Sequence, residues 1–294
     1  MMRTDAAVEE RVLLIFAHPD DESFGSAGLL AMLDDRDLPV VLLLATRGEA
    51  GEISSPDVGT PETLGPVRER EVRQAMAIVG INDVRFLGYR DSGMAGTPEN
   101  DDPRALVNAP DAELVAHLIG QIRDVRPTTV VTFGADGIYG HPDHVRIHHA
   151  TMAAVRRAAD DGTLAGLGEP WRIGALYFSA APRERMLEWH ELPNTPFHDM
   201  PREQVAKLGT PMSEITHWLD IRPYADRKRR VLASHRSQVG VNGPMADLPP
   251  EMTERFLATE QLRRAPLPWD SNNVATRIID RLASDNPTEP PAAT

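Results

Sequence analysis

The stretch "RVLLIFAHPDDESFGSAGLLAMLDDR", residues 11 to 36, changes its periodicity once and in doing so decides the fold. "RVLLIFA" (11–17) is a continuous apolar, β-branched run of the kind a strand buried on both faces requires, and "SAGLLAMLDDR" from 26 has helical spacing. Between them sit a histidine and three consecutive acids, "HPDDE". Packing Asp20, Asp21 and Glu22 beside an apolar strand gains nothing in itself, since each carboxylate loses hydration and repels its neighbours.

The same strand-then-helix alternation continues outward. "PVVLLLAT" (39–46), "DVRFLG" (83–88), "TTVVTFG" (128–134) and "IGALYFS" (173–179) read as buried strands. "GPVREREVRQAMAIVG" from 65, "PDAELVAHLIGQIRDV" from 110 and "PDHVRIHHATMAAVRRAAD" from 142 read as helices. This predicts an α/β fold, a Rossmann-like doubly wound and mostly parallel sheet. In its commonest form strand 4 returns to lie beside strand 1, and ligands bind outside the carboxyl ends of those two strands. Beyond residue 180 the pattern weakens. "APRERMLEWHEL", "MPREQVAKLG", "PYADRKRRVLASHRSQ" and "PPEMTERFLATEQL" read as short amphipathic helices and "ITHWLDI" (215–221) as a further strand. The expected division is a catalytic core over 1–180, a smaller C-terminal part over 181–283 that packs on the core and walls the cleft, and a tail over 284–294. Proline-rich loops at 47–66 and 88–110 are expected to shape the pocket.

Composition narrows the function. The formal charge is −13, from 44 acids against 31 bases, which argues against a nucleic-acid partner. There is no cysteine, so disulfides, thiolate metal sites and a cysteine nucleophile are excluded, and any zinc must be held by His and carboxylate. The apolar run from Val12 to Ala17 is too short for a signal h-region or a membrane span, and the expectation is a cytoplasmic protein without a membrane partner. No G-x-G-x-x-G follows any strand and no G-x-x-x-x-G-K-[ST] occurs, which weighs against a nucleotide-binding module without chemistry.

Two clusters carry the chemistry. "AHPDDE" follows strand 1, and "GIYGHPDH" (137–144) follows strand 4, so the topology sets both at one cleft. His18 and Asp21, three apart at a strand-to-helix turn, suit a divalent metal, and His144 completes a two-His, one-carboxylate set with a fourth position left for water, as in catalytic zinc sites. Asp20, beside a ligand but aimed elsewhere, is then the natural general base. The plain alternative is that Asp20, Asp21 or Ser23 only caps the following helix. That accounts for one acid, not for three beside a histidine. His148, which could pair with His144 across one helical turn, receives no role, and His117, His190, His198 and His217 read as structural.

"AHPDDE" with a distant "HPDH" resembles the paired signature of the LmbE/PIG-L-like zinc N-deacetylases. The likeness covers about the first 160 residues and extends to "TRGEAGE" (46–52), to the spacing of Arg68, Glu71, Ala75 and Gly80, and to "YRDSGMAGT" (89–97). That last stretch is most similar to the mycothiol-pathway branch acting on N-acetylglucosaminyl inositol. The resemblance implies a zinc-dependent hydrolase that removes an acetyl or related acyl group from an N-acylated amino sugar, a small-molecule partner. It implies His18, Asp21 and His144 as ligands of zinc, with iron possible in the same set, and Asp20 as base. It places His141, oriented by Asp143, near the carbonyl oxygen or leaving nitrogen, and has Tyr139 polarise the amide. Arg68 and Asp91, and more weakly Glu49, would contact the substrate's hydroxyl-rich part. Without the resemblance, Arg68 reads as one of a helix's solvated charges and Asp91 as a turn residue. An amidase acting on a thiol conjugate or another N-acyl metabolite is the alternative in the same chemistry. "SFGSAG", which lacks the basic residue that branch carries near the first motif, leans the reading toward deacetylation.

Overall fold

Five apolar strands laid side by side leave no room for water between them, and the architecture follows from covering both faces of that layer. A computed structural model describes residues 9–54, 57–160, 166–193, 195, 197–240, 248–270 and 276–285. In chain order its elements are β1 (Val12–Phe16), α1 (Asp21–Asp34), β2 (Val40–Leu44), α2 (Leu64–Ile78), β3 (Asp83–Phe86), α3 (Asp111–Val125), β4 (Thr129–Phe133), the single turn α4 (Gly137–Gly140), α5 (Pro142–Ala158), β5 (Ala175–Ser179), α6 (Arg183–His190), α7 (Arg202–Val205), β6 (His217–Asp220), α8 (Ala225–Ser234), α9 (Pro250–Ala258), β7 (Thr259–Ala265) and α10 (Ile278–Asp285). The strands form one sheet in the order β3-β2-β1-β4-β5-β7-β6. β1 to β5 are parallel, with Val12 opposite Val40 on one side and Thr129 on the other. Every residue of β1 and β4, at the sheet's centre, is buried, as parallel strands covered on both faces must be. The chain order reverses between β1 and β4, so the crevice expected from the sequence opens at their carboxyl ends.

The C-terminal third continues this sheet. β7 runs antiparallel between β5 and β6, α8 packs on α1 and α2, and one apolar core runs from Val12 to Leu282. Ser284 and Asp285 complete α10, and residues 286–294 of the expected tail lie outside the described residues.

Two local expectations are corrected. "PPEMTERFLATEQL" is not one helix: α9 stops at Ala258, Thr259 turns extended at φ −141° and ψ 143°, and "TEQLRRA" is a strand. Its charges hide the strand pattern, because Glu260 is a buried acid, paired with Lys228 Nζ at 2.9 Å. The helix expected from residue 26 begins at Asp21, so the acids of the first motif lie in its first turn, where the helix dipole favours negative charge. The carboxylate of Glu260 also accepts the N–H groups of Gly28 and Leu29, each at 2.8 Å, and Lys228 Nζ donates to the Phe24 carbonyl at 3.0 Å. α1 is thereby clamped from outside, within a turn or two of the site.

Candidate active site

The turn from β1 into α1 separates the jobs of the three acids. Asp21 points back over the strand end, where one carboxylate oxygen accepts the N–H groups of His18 and Ala17 at 2.7 and 3.2 Å. Glu22 is fully buried; it accepts the Asp20 N–H at 3.1 Å and meets His235 Nε2, from the end of α8, at 3.0 Å. Asp20 is left facing the cavity, on a backbone held at φ 120°, a region costly for any residue but glycine. The loop after β4 carries a second such position, Ile138 at φ 67° and ψ −65°. Tyr139, which follows it, lines the cavity and is 36% exposed as a residue.

Two imidazoles meet the Asp21 carboxylate. His144 Nε2 lies 3.1 Å from Asp21 Oδ1 and 3.3 Å from His18 Nδ1, and His18 Nδ1 lies 3.6 Å from Asp21 Oδ2. Donors about 2.0–2.1 Å from a tetrahedral ion stand about 3.3–3.4 Å apart, which is the spacing found. Each ring is anchored by its outer nitrogen. His144 Nδ1–H donates to the Gly137 carbonyl at 3.1 Å, and His18 Nε2–H faces Asp143 at 3.1 Å and Asp91 at 3.4 Å. This leaves both inner lone pairs turned on the same point, the arrangement by which outer partners orient metal-binding histidines. Two lone pairs 3.3 Å apart repel unless a proton or a cation lies between them. His144 is further fixed by stacking on Phe133, rings 3.9 Å apart.

The surrounding charge favours a cation. Burial opposes a charged His18, yet the carboxylates of Asp91, Asp143 and Asp21 hold its pKa well above the ordinary value. Asp21 is held below the usual carboxylate range, burial being outweighed by His144 and His18. Ligand atoms of His18, His141 and His144 lie within 4.8 Å of one another, as do those of His18, Asp91 and Asp143. In the second group both acids sit on the outer nitrogen of His18. The residues present can therefore hold a divalent metal, with His18 Nδ1, Asp21 and His144 Nε2 the set whose free electron pairs converge.

His141 Nδ1 accepts the Asp143 N–H at 3.2 Å, so the neutral ring carries its proton on Nε2. Burial, with the neighbouring His18 and His144, pushes this histidine down to about 3; it is neutral near pH 7. Asp143 reaches it through the backbone alone. Its carboxylate, wholly buried, is taken by His18, by the Ser92 N–H at 3.0 Å and by the Ser92 hydroxyl. Asp143 thus meets His141 through its backbone N–H, while its carboxylate meets His18. Burial pushes Asp20 up to about 6, against the pull of the Arg68 guanidinium 3.1 Å away.

Arg68 and Asp91 line the cavity; both carboxylate oxygens of Asp91 and both terminal nitrogens of Arg68 are engaged, while Arg68 Nε has no partner among the described residues. Arg68, only 3% exposed, also donates to the Pro19 and Gly48 carbonyls at 2.6 and 2.9 Å, tying the loop after β1 to the loop after β2. At Gly48, φ 68°, an added Cβ would fall 2.3 Å from that guanidinium. Asp91 accepts from Gly93 N at 2.9 Å and Ala50 N at 3.2 Å. Glu49 accepts the Asp91 N–H at 3.2 Å and is not among the cavity-lining residues. The sequence reading missed Ser92, the Glu22–His235 pair and Gln238, which lines the cavity. Ser92 adjoins a residue already singled out, whereas nothing local marks His235, 213 positions from Glu22. His148, bonded to the Phe133 carbonyl at 2.9 Å, and His117, His190, His198 and His217 lie off the cavity.

The cavity holds about 980 Å³. Residues 13–155 match the family signature of PIG-L, the GlcNAc-PI de-N-acetylases. A deacetylase of 1D-myo-inositol 2-acetamido-2-deoxy-alpha-D-glucopyranoside from Geodermatophilus obscurus is 37% identical over 86% of this chain and 91% of its own. The chain belongs to the PIG-L family. Among solved structures, N,N'-diacetylchitobiose deacetylase from Pyrococcus horikoshii superposes with a TM-score of 0.59 at 18% identity, covering 87% of this chain and 84% of that one. GalB, a 4-carboxy-2-hydroxymuconate hydratase from Pseudomonas putida, gives 0.60 at 18% identity over 90% and 100%. The PIG-L scaffold thus also resembles that of a hydratase, so the chemistry has to be argued from the site and not from the fold. Among the described residues no helix is long and apolar enough to cross a membrane.

Proposed function

We propose that this PIG-L protein is a zinc-dependent N-deacetylase of an amino sugar, an N-acetylglucosaminyl inositol conjugate being the substrate its curated relatives name. The observation that carries the metal is the convergence of His18 Nδ1, Asp21 and His144 Nε2 at 3.1–3.6 Å, with the outer nitrogen of each ring already bonded. Iron fits the same donors. Bound there, the ion supplies Lewis acidity toward water and the amide oxygen.

The protein's own groups do the rest. Asp20, ionised above about pH 6, takes a proton from the attacking water. As the carbonyl carbon becomes tetrahedral, negative charge gathers on its oxygen, and His141 Nε2–H and the Tyr139 hydroxyl donate to it. Asp20 then returns the proton to the departing nitrogen, since an amide anion is too basic to leave unaided. The products are acetate and the free amine. Arg68, through its terminal nitrogens, holds Asp20, and Asp91 holds His18. The test is amine release from a panel of N-acetylglucosaminides, with and without a chelator. Release that stops on chelation and returns with stoichiometric zinc supports the reading; release indifferent to chelation overturns it.

A further inference from the structure

Past the metal-facing side chains the cavity runs on toward β5 and β7, and its wall changes character. Phe24, Phe256, Trp189 and Phe197 follow one another with ring centroids 6.3, 6.4 and 6.2 Å apart, and all four line the cavity. Set in this aromatic wall is Arg185 of α6, half-buried. Among the described residues its guanidinium makes no hydrogen bond and no ion pair. The acids nearby are engaged elsewhere: Glu188 pairs with Arg255 at 2.6 Å, and Glu260 with Lys228 at 2.9 Å. Burial and the Arg255 charge push Arg185 down to about 10, with Glu188 opposing. A cation held half out of water among aromatic rings is costly without a paired counter-ion, and Glu188, the acid that acts on Arg185, is itself paired with Arg255, in a chain where acids outnumber bases by 44 to 31.

The volume leads the same way. About 980 Å³ is at the upper end of what drug-sized ligands fill. An N-acetyl sugar lying at the metal beside Asp20 and Arg68 leaves the aromatic lobe unfilled. We propose that this lobe is a second substrate subsite, taking a substituent of the amino sugar that has an apolar or aromatic body and ends in a carboxylate or phosphate, with Arg185 as its counter-ion. This rests on the deacetylase reading. The substituent reaches the lobe from one of two sides of the scissile amide, as an extended N-acyl group or as the aglycone. Guanidinium is the cation suited to either anion, through paired N–H donors.

The test compares charge-matched pairs on the zinc-loaded enzyme. One pair is N-phenylacetylglucosamine against N-(4-carboxyphenylacetyl)glucosamine; the other is benzyl against 4-carboxybenzyl N-acetylglucosaminide; methyl N-acetylglucosaminide is the reference. In one of the pairs kcat/KM is expected to favour the carboxylate by about tenfold or more, the effect of one charge-assisted hydrogen bond. That ratio should fall to near one in Arg185→Gln and recover in part in Arg185→Lys. The pair that responds names the side of the amide. Ratios near one in both pairs, or a preference that survives Arg185→Gln, overturn the proposal. Turnover of the methyl glycoside reads the deacetylase assignment separately. Should it be absent, the same pairs are compared by calorimetric binding, where the same preference and the same dependence on Arg185 are required.

Discussion

Asp20 is pulled two ways: burial raises its carboxyl to about 6, while Arg68 at 3.1 Å keeps it from rising further. A base must be ionised to act, so kcat/KM is expected to fall about tenfold per pH unit below about 6. Replacing Arg68 with Met removes the influence that lowers the pKa, and the acid limb of the pH profile should move upward; a limb that stays or moves downward argues against Asp20 as the base. Asp20→Asn should retain bound metal and lose about 10²–10⁴ in kcat, the usual worth of a positioned base. At this scale the sequence was partly legible. The two HPD motifs mark His18, Asp20, Asp21 and His144, since short-range spacing sets the first three on one turn and the strand order expected from the alternation brings His144 to the same strand ends. What occupies Arg68 and Asp91 was not legible, since their partners are carbonyls, N–H groups and a histidine ring set by loops at 47–51 and 91–93.

α1 is held by two buried pairs that reach it from the C-terminal third. In the first, His235 meets Glu22, and Glu22 in turn fixes the Asp20 N–H. Burial works against a charged His235, but the Glu22 charge prevails and its pKa is raised. The sign follows: this contribution to stability is complete below the unfolded histidine value of about 6.5 and is lost as pH rises through the native one. The difference in denaturation midpoint between the metal-free wild type and His235→Gln should therefore shrink from pH 6 to pH 9; a constant or growing gap contradicts the charged pair. In the second, Glu260 satisfies Lys228 and two N–H groups of α1. Glu260→Ala leaves the buried Lys228 ammonium without its counter-ion and is expected to cost about 3–5 kcal/mol by denaturant titration, with much of it regained in the double variant Lys228→Met, Glu260→Leu. A single-variant cost below about 1 kcal/mol would remove the clamp from this account. These pairs also explain why β7 was hidden. "TEQLRRA" shows no alternation of apolar and polar residues, because its buried acid is neutralised by a lysine 32 positions away, whereas β1 and β4 announce themselves through unbroken apolar runs.

At the scale of the molecule, four carboxylates (Asp20, Asp21, Asp91 and Asp143) gather at the carboxyl ends of the central strands of a protein that already carries a net charge of −13. Arg68 and a protonated His18 offset part of this, and a bound cation would take the place of that His18 proton. The native fold therefore concentrates a repulsion that the unfolded chain disperses, and a cation at that point acts on the native state alone. Ligand linkage gives its size: at a free metal concentration a hundredfold above Kd the native state gains about 2.7 kcal/mol. For a chain of this length about 2–4 °C of Tm accompanies each kcal/mol, so complete chelation should lower Tm by about 5 °C or more. Zinc should restore it in a one-to-one titration. Asp21→Asn, which removes one of the three converging donors and one negative charge together, should start with less self-repulsion and respond little to either treatment. A wild-type Tm that does not move once elemental analysis shows the metal gone would separate the cluster from the stability of the fold, and would leave the convergence of these side chains in need of another explanation.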